Sequence, residues 1–157
     1  MAAIYYAINL RYNMNAREME ICRLFTTEVT SDQGMQRYAT AMNMEWKDYE
    51  DFMEKYGYRH PELLSKWTSR LFLYETLGIL LKSGAVKAEK LYPLGGYGSI
   101  RFWEKFRDII QNRRDQTWGS DYMVNAEYFV GEMFKIKMSN DAGFKDKMNN
   151  SLKTGKL

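Results

Sequence analysis

From Ala2 to Thr27 the chain has neither proline nor glycine, and apolar residues recur at Ile4, Ile8 and Tyr12, then at Met14, Ile21, Leu24 and Phe25. This spacing predicts one long helix, apolar nearly all round in its first turns and amphipathic later. The run Met1 to Leu10 is too short to cross a bilayer: ten residues at ~1.5 Å each cover about half of a ~30 Å hydrocarbon core. It has no cleavable-signal anatomy, and Arg11, Arg17 and Arg23 lie just beyond it. Thr30-Ser31-Asp32 supplies an N-cap for a shorter helix to Met42, with Gly34 in its first turn.

A third helix is predicted over Glu45 to Tyr56, with Trp46, Tyr49, Phe52, Met53 and Tyr56 inward and Gly57 closing it. His60-Pro61-Glu62 starts a fourth, because proline is preorganised at the first helical position and Glu62 suits the positive end of the dipole. It runs to Ser83, with Gly84 as its stop, and the stretch Leu71 to Leu81 is apolar on almost every face, as a central core helix requires. Ala88 to Tyr92 reads as one short turn, Pro93 to Gly98 as a glycine-rich loop, and Ser99 as the cap of a helix through Arg114. Ser120 or Asp121 then caps a last helix to Lys137, with Tyr122, Ala126, Phe129, Met133 and Ile136 inward. No segment alternates with a period of two. The expected class is all-α: a single-domain bundle of five to six helices over residues 1–138, followed by a flexible tail over 139–157. Asn149-Asn150-Ser151 in that tail formally fits a glycosylation acceptor.

Composition adds limits. At 157 residues, with 45% apolar and 15% aromatic side chains, disorder is excluded as the dominant state. A single cysteine, Cys22, rules out an intramolecular disulfide and reads as a small buried thiol. The net charge of +3 divides unevenly: residues 1–60 carry seven Lys/Arg against nine Asp/Glu, and residues 61–157 carry sixteen against eleven. The basic residues are interleaved with acidic ones, so a mixed solvated surface is the first expectation.

Candidate chemistry is sparse. Carboxylate-bridged metal sites need Glu-x-x-His units, and His60 is the only histidine. A Cys/His zinc site fails on count. Asp48, Asp51 and Glu54 share a helix flank but stand beside Lys47 and Lys55, which favours a solvated face. Asp32 with Glu45-Trp46-Lys47 imitates a nuclease pattern, here between helices rather than on strands. A hydrolytic triad would have to use His60, whose place before Pro61 favours a cap or surface role. Gly96, Gly98 and Ser99 precede a helix N-terminus near Arg101, a weak anion-site candidate. The third glycine of a dinucleotide fingerprint and the preceding strand are both missing. Glu75, inside an apolar run, requires a groove to solvent or a partner; Arg101 and Arg107 are the candidates for a structural ion pair. No catalytic residue, metal ligand or cofactor is assigned.

Glu45-Trp46-Lys47-Asp48-Tyr49-Glu50-Asp51-Phe52-Met53-Glu54-Lys55-Tyr56-Gly57, Tyr74-Glu75-x-x-Gly78-x-Leu80-x-x-x-Gly84 and Phe102-Trp103-Glu104-Lys105-Phe106, with Ile109-Ile110 and Arg113-Arg114, together resemble an uncharacterised prokaryotic domain-of-unknown-function family. Its archaeal and bacterial members have one N-terminal transmembrane helix and a cytoplasmic helical domain. The resemblance covers residues 4–137 and supplies no activity or cofactor. It implies that the apolar start corresponds to the cytoplasmic end of an anchor, and this chain departs from the pattern in lacking the rest. The expected location is the cytoplasmic side of a membrane if an anchor precedes Met1, and the cytoplasm otherwise. The leading expectation is a non-enzymatic, membrane-proximal module that binds protein partners or self-associates, with Met- and Tyr-rich faces as adaptable contact surface. The alternative is a nucleic-acid binder using Lys82, Lys87, Lys90, Arg101, Arg107, Arg113 and Arg114.

Overall fold

The computed structural model describes residues 2–141 and 143–144, with side chains from Ile4 onward. Among these residues there is no strand, and six helices of eight or more residues form one bundle: α1 (Ala2–Thr30), α2 (Asp32–Met42), α3 (Tyr49–Tyr56), α4 (Pro61–Lys82), α6 (Tyr97–Arg113) and α7 (Val124–Asn140). A four-residue α5 (Ala88–Leu91), a turn over Tyr92–Gly96 kinked at the non-helical Gly95, and a wide π-type turn over Arg114–Trp118 complete it. The all-α class and the long first helix are as the hydrophobic pattern predicts.

Local chemistry explains most boundaries. The Ser31 hydroxyl accepts the Gly34 N–H at 3.1 Å and opens α2. Helix α3 begins later than its apolar spacing suggests, because Asp48 caps it by accepting the Asp51 N–H at 2.9 Å, while Asp51 takes the Lys47 N–H at 3.0 Å. Trp46 therefore lies outside the helix, yet still packs on Phe52 and Phe106. At the end of α4, Gly84 adopts φ +73° and donates to Leu81 O while Ala85 donates to Leu80 O, both at 3.0 Å. This Schellman closure needs a residue tolerant of left-handed backbone.

Two boundaries differ from expectation. Ser99 does not cap α6; it is fully buried, its hydroxyl donates to Gly96 O at 2.7 Å, and the helix begins at Tyr97 out of the preceding turn. Neither Ser120 nor Asp121 caps α7, which follows Met123 in a left-handed conformation, φ 57°, and is capped from another helix. The expected tail over 139–157 falls mostly outside the described residues, as does Asn149-Asn150-Ser151. Within the described residues, Phe144 is buried against Tyr97 and Phe134.

The core is an aromatic chain. Trp46 stacks on Phe106, Phe106 meets Phe102 at 4.6 Å between ring centroids, Phe102 meets Tyr74, Tyr74 stacks on Phe129 at 5.3 Å, and Phe129 meets Phe25 edge-on. Offset and edge-to-face pairs of this kind add to the burial of their large apolar faces. The chain links the α3 corner to α1 through α6, α4 and α7. Helix α4 is central but not enclosed, since Phe72 and Ile79 remain exposed.

Candidate functional site

The Tyr74-Glu75-x-x-Gly78 motif builds the seam between α4 and α7. Tyr74 is buried against Phe129. One turn on, a Cβ at Gly78 would lie 1.9 Å from Asn125 O, so only glycine admits the backbone of α7 this closely. Between them, Glu75 accepts the Asn125 side-chain amide and the Ala126 backbone N–H, each at 2.7 Å. Its carboxylate thus satisfies a donor in the first turn of α7, where the helix dipole also favours negative charge. The structure therefore gives Glu75 a capping role in place of the expected pairing with Arg101 or Arg107. Arg107 lies beside Glu104 and Asp108, and Arg101 is half-buried near Tyr38.

The glycine-rich turn also differs from its sequence reading. A Cβ at Gly96 would meet the Tyr92 ring at 2.6 Å and the Met133 sulfur at 3.0 Å, and one at Gly95 would meet the Phe25 ring at 2.9 Å. These glycines admit neighbouring side chains. Gly98 O accepts the Tyr38 hydroxyl at 3.2 Å. Helix α6 starts after a break at Gly95, and with Gly96 and Ser99 buried and Tyr38 on Gly98 O, the residues Gly96, Gly98, Ser99 and Arg101 do not form an open anion cradle. Gly95 and Gly98 instead edge a cleft of about 370 Å³ whose deep wall carries Arg70 and Tyr74.

The burial of two arginines, Arg70 and the nucleic-acid candidate Arg113, was not expected from the sequence. Arg70, 4% exposed, donates from Nη2 to Gly34 O at 2.9 Å and lies over the Tyr38 ring at 5.5 Å. Arg113, 3% exposed, is boxed by Tyr58, Trp67, Trp118 and Tyr122, all within 5.2 to 5.8 Å of its guanidinium carbon. Its terminal nitrogens donate to the Tyr58 hydroxyl at 2.8 Å and the Tyr122 hydroxyl at 3.4 Å, and its buried Nε has no partner. Among the described residues neither arginine has a carboxylate partner. Ring faces replace it, as cation–π attraction is strongest where water is excluded. The only sequence signal was an arginine at a core-facing position of each helix. The cleft beside Arg113, about 500 Å³, also bears Glu75 and Asp121.

Helix α1 has two unlike halves. Every residue from Ile4 to Arg17 is exposed, with Ile4, Tyr5, Tyr6, Ile8, Leu10, Tyr12 and Met14 between 50% and 72%. Burial begins at Glu18, which accepts the Lys87 N–H at 2.9 Å and the Lys90 ammonium at 2.6 Å, and so caps α5 from outside. Hydrogen bonding by Lys90 holds the Glu18 carboxyl below its ordinary range. Cys22 is buried one turn on, and desolvation pushes its thiol up.

His60 is exposed at the start of α4, without a side-chain cap bond. Among the described residues no group of three His, Cys, Asp or Glu is close enough to hold a metal ion. Of the seven basic residues considered for nucleic acid, Lys82 engages Asn125, Lys90 engages Glu18, Arg107 lies by Glu104, Arg113 is boxed and Arg114 pairs with Glu127. That reading gains no support from their arrangement.

No family model, curated protein or solved structure matches the chain. Among the described residues no helix is long and apolar enough to cross a membrane, so the resemblance to a membrane-anchored family has no support on that point.

Proposed function

We propose that this chain is a non-enzymatic, membrane-proximal helical module that engages a protein partner or a second copy of itself through the projecting half of α1. The supporting observation is the contiguous apolar surface of Ile4 to Met14, held clear of the bundle on a helix that the bundle anchors only from Glu18 onward. Contiguous exposed apolar surface of this extent is characteristic of a contact site. A free helix of this length is marginal in water, so covering its apolar side chains stabilises it as well as removing them from solvent.

Charge supports the membrane-proximal setting. Residues 2–17 contain Arg11 and Arg17 and no acidic residue, and Tyr5, Tyr6 and Tyr12 have the amphipathic rings favoured at a lipid–water boundary. The test is light scattering of the full chain over a wide concentration range, alongside co-sedimentation with anionic vesicles. Association or vesicle binding that is lost in Ile8→Glu/Tyr12→Glu supports the reading. A strict monomer that leaves vesicles unbound contradicts it.

A further inference from the structure

The cleft framed by α1, α2, α4 and the Tyr92–Gly96 turn has the composition of a binding site. Arg70 and Tyr74 stand one helical turn apart on α4 and both line it. Arg70 uses Nη2 on Gly34 O and has no carboxylate partner among the described residues. Tyr74 is 2% exposed, and its hydroxyl makes no hydrogen bond with the described residues. Only Arg113 Nε is both fully buried and without a partner there, so the remaining Arg70 N–H groups and the Tyr74 hydroxyl keep contact with solvent, which the cleft supplies. Burial pushes the Tyr74 phenol far above its ordinary range, so it remains an O–H donor at neutral pH.

The rest of the lining is largely apolar and free of acid; its two other hydroxyls are already engaged, Thr30 donating to Thr26 O and Tyr38 to Gly98 O. Val29, Met35 and Leu94 face the same space, and no Asp or Glu lines it, unlike the cleft beside Arg113. A deep cationic donor, a second neutral donor and apolar walls match a ligand with one anionic end and one apolar body. Planar guanidinium suits a carboxylate through paired N–H donors.

We propose that this cleft binds a small organic carboxylate, its oxygens on Arg70 and Tyr74 and its apolar body against Val29, Met35 and Leu94. The volume of about 370 Å³ fits a small molecule. The site is independent of the α1 contact surface.

Titration of the full chain with octanoate, benzoate, octanol and inorganic phosphate, followed by NMR shifts and calorimetry, tests this. Octanoate or benzoate should bind saturably, at least about tenfold more tightly than octanol or phosphate, since a charged hydrogen-bonded end is worth about that factor. The better of the two carboxylates reports whether the body is chain-like or ring-like. Tyr74→Phe should weaken binding several-fold, and Ala39→Trp, at the exposed rim, should block it without touching Arg70; circular dichroism checks that both variants fold. Equal binding of octanol, equal binding of phosphate, no binding by any probe, or undiminished binding in folded Ala39→Trp would overturn the proposal.

Discussion

The α4–α7 seam and the projecting half of α1 treat similar side chains in opposite ways. At the seam, Tyr74 is covered by Phe129, the Glu75 carboxylate meets two donors, and Gly78 brings two backbones together. On α1, Tyr5, Tyr6 and Tyr12 are each at least 70% exposed, beside the similarly exposed Ile4 and Ile8. Residues at the seam are explained by folding. Those on the projecting half are not, because they lie exposed in the bundle, and a contact role outside the fold is what we propose for that surface.

This contrast makes stability and association separable, beginning with the change that should cost most. Gly78→Ala places a methyl group 1.9 Å from Asn125 O, so the seam must open. A loss of about 3 kcal/mol or more is expected, read as a fall in the midpoint of chemical unfolding. Survival of wild-type stability would show that the seam is not close-packed. Glu75→Ala leaves the Ala126 N–H and the Asn125 amide without their acceptor, and a loss of about 1–3 kcal/mol should follow in the same measurement. Glu75→Gln, which keeps one acceptor oxygen, should lose less.

Glu18 marks the border between the two halves and gives a pH signature. Its folded-state pKa is depressed by Lys90, so its contribution is fully present above the unfolded value of about 4.3 and is lost as pH falls through the lower folded value. Acid unfolding followed by tryptophan fluorescence should be less steep over that window in Glu18→Gln. An identical acid profile would remove Glu18 from the anchoring of α1. The smallest stability effect belongs to Ile8→Glu/Tyr12→Glu, expected within about 0.5 kcal/mol of wild type, because both sites lie in solvent.

The sequence made helices legible wherever a cap or stop was local. Ser31, Pro61 and Gly84 act where their chemistry places them, and the apolar stripes of α6 and α7 face the core. It failed where the partner is distant in the chain. Glu75 lies about fifty residues before the helix it caps, and Glu18 about seventy before the turn it closes, so neither follows from local spacing. Ser99 had the residue type of a cap but lies buried inside the first turn of α6, which starts after the break at Gly95, and its hydroxyl donates back to Gly96 O. The arginine clefts were hidden for the same reason: Arg70 and Arg113 meet their rings only after folding. The exposure of the start of α1 was not legible, since an all-round apolar pattern by itself points to a buried or membrane-spanning helix.

Light scattering of the wild-type chain beside Ile8→Glu/Tyr12→Glu, with anionic vesicles present in a parallel series, tests most directly whether the projecting half of α1 is a contact surface. Wild type should associate with itself or with the vesicles, and the variant, equally stable, should do neither. Equal behaviour of the two proteins would contradict that role for α1.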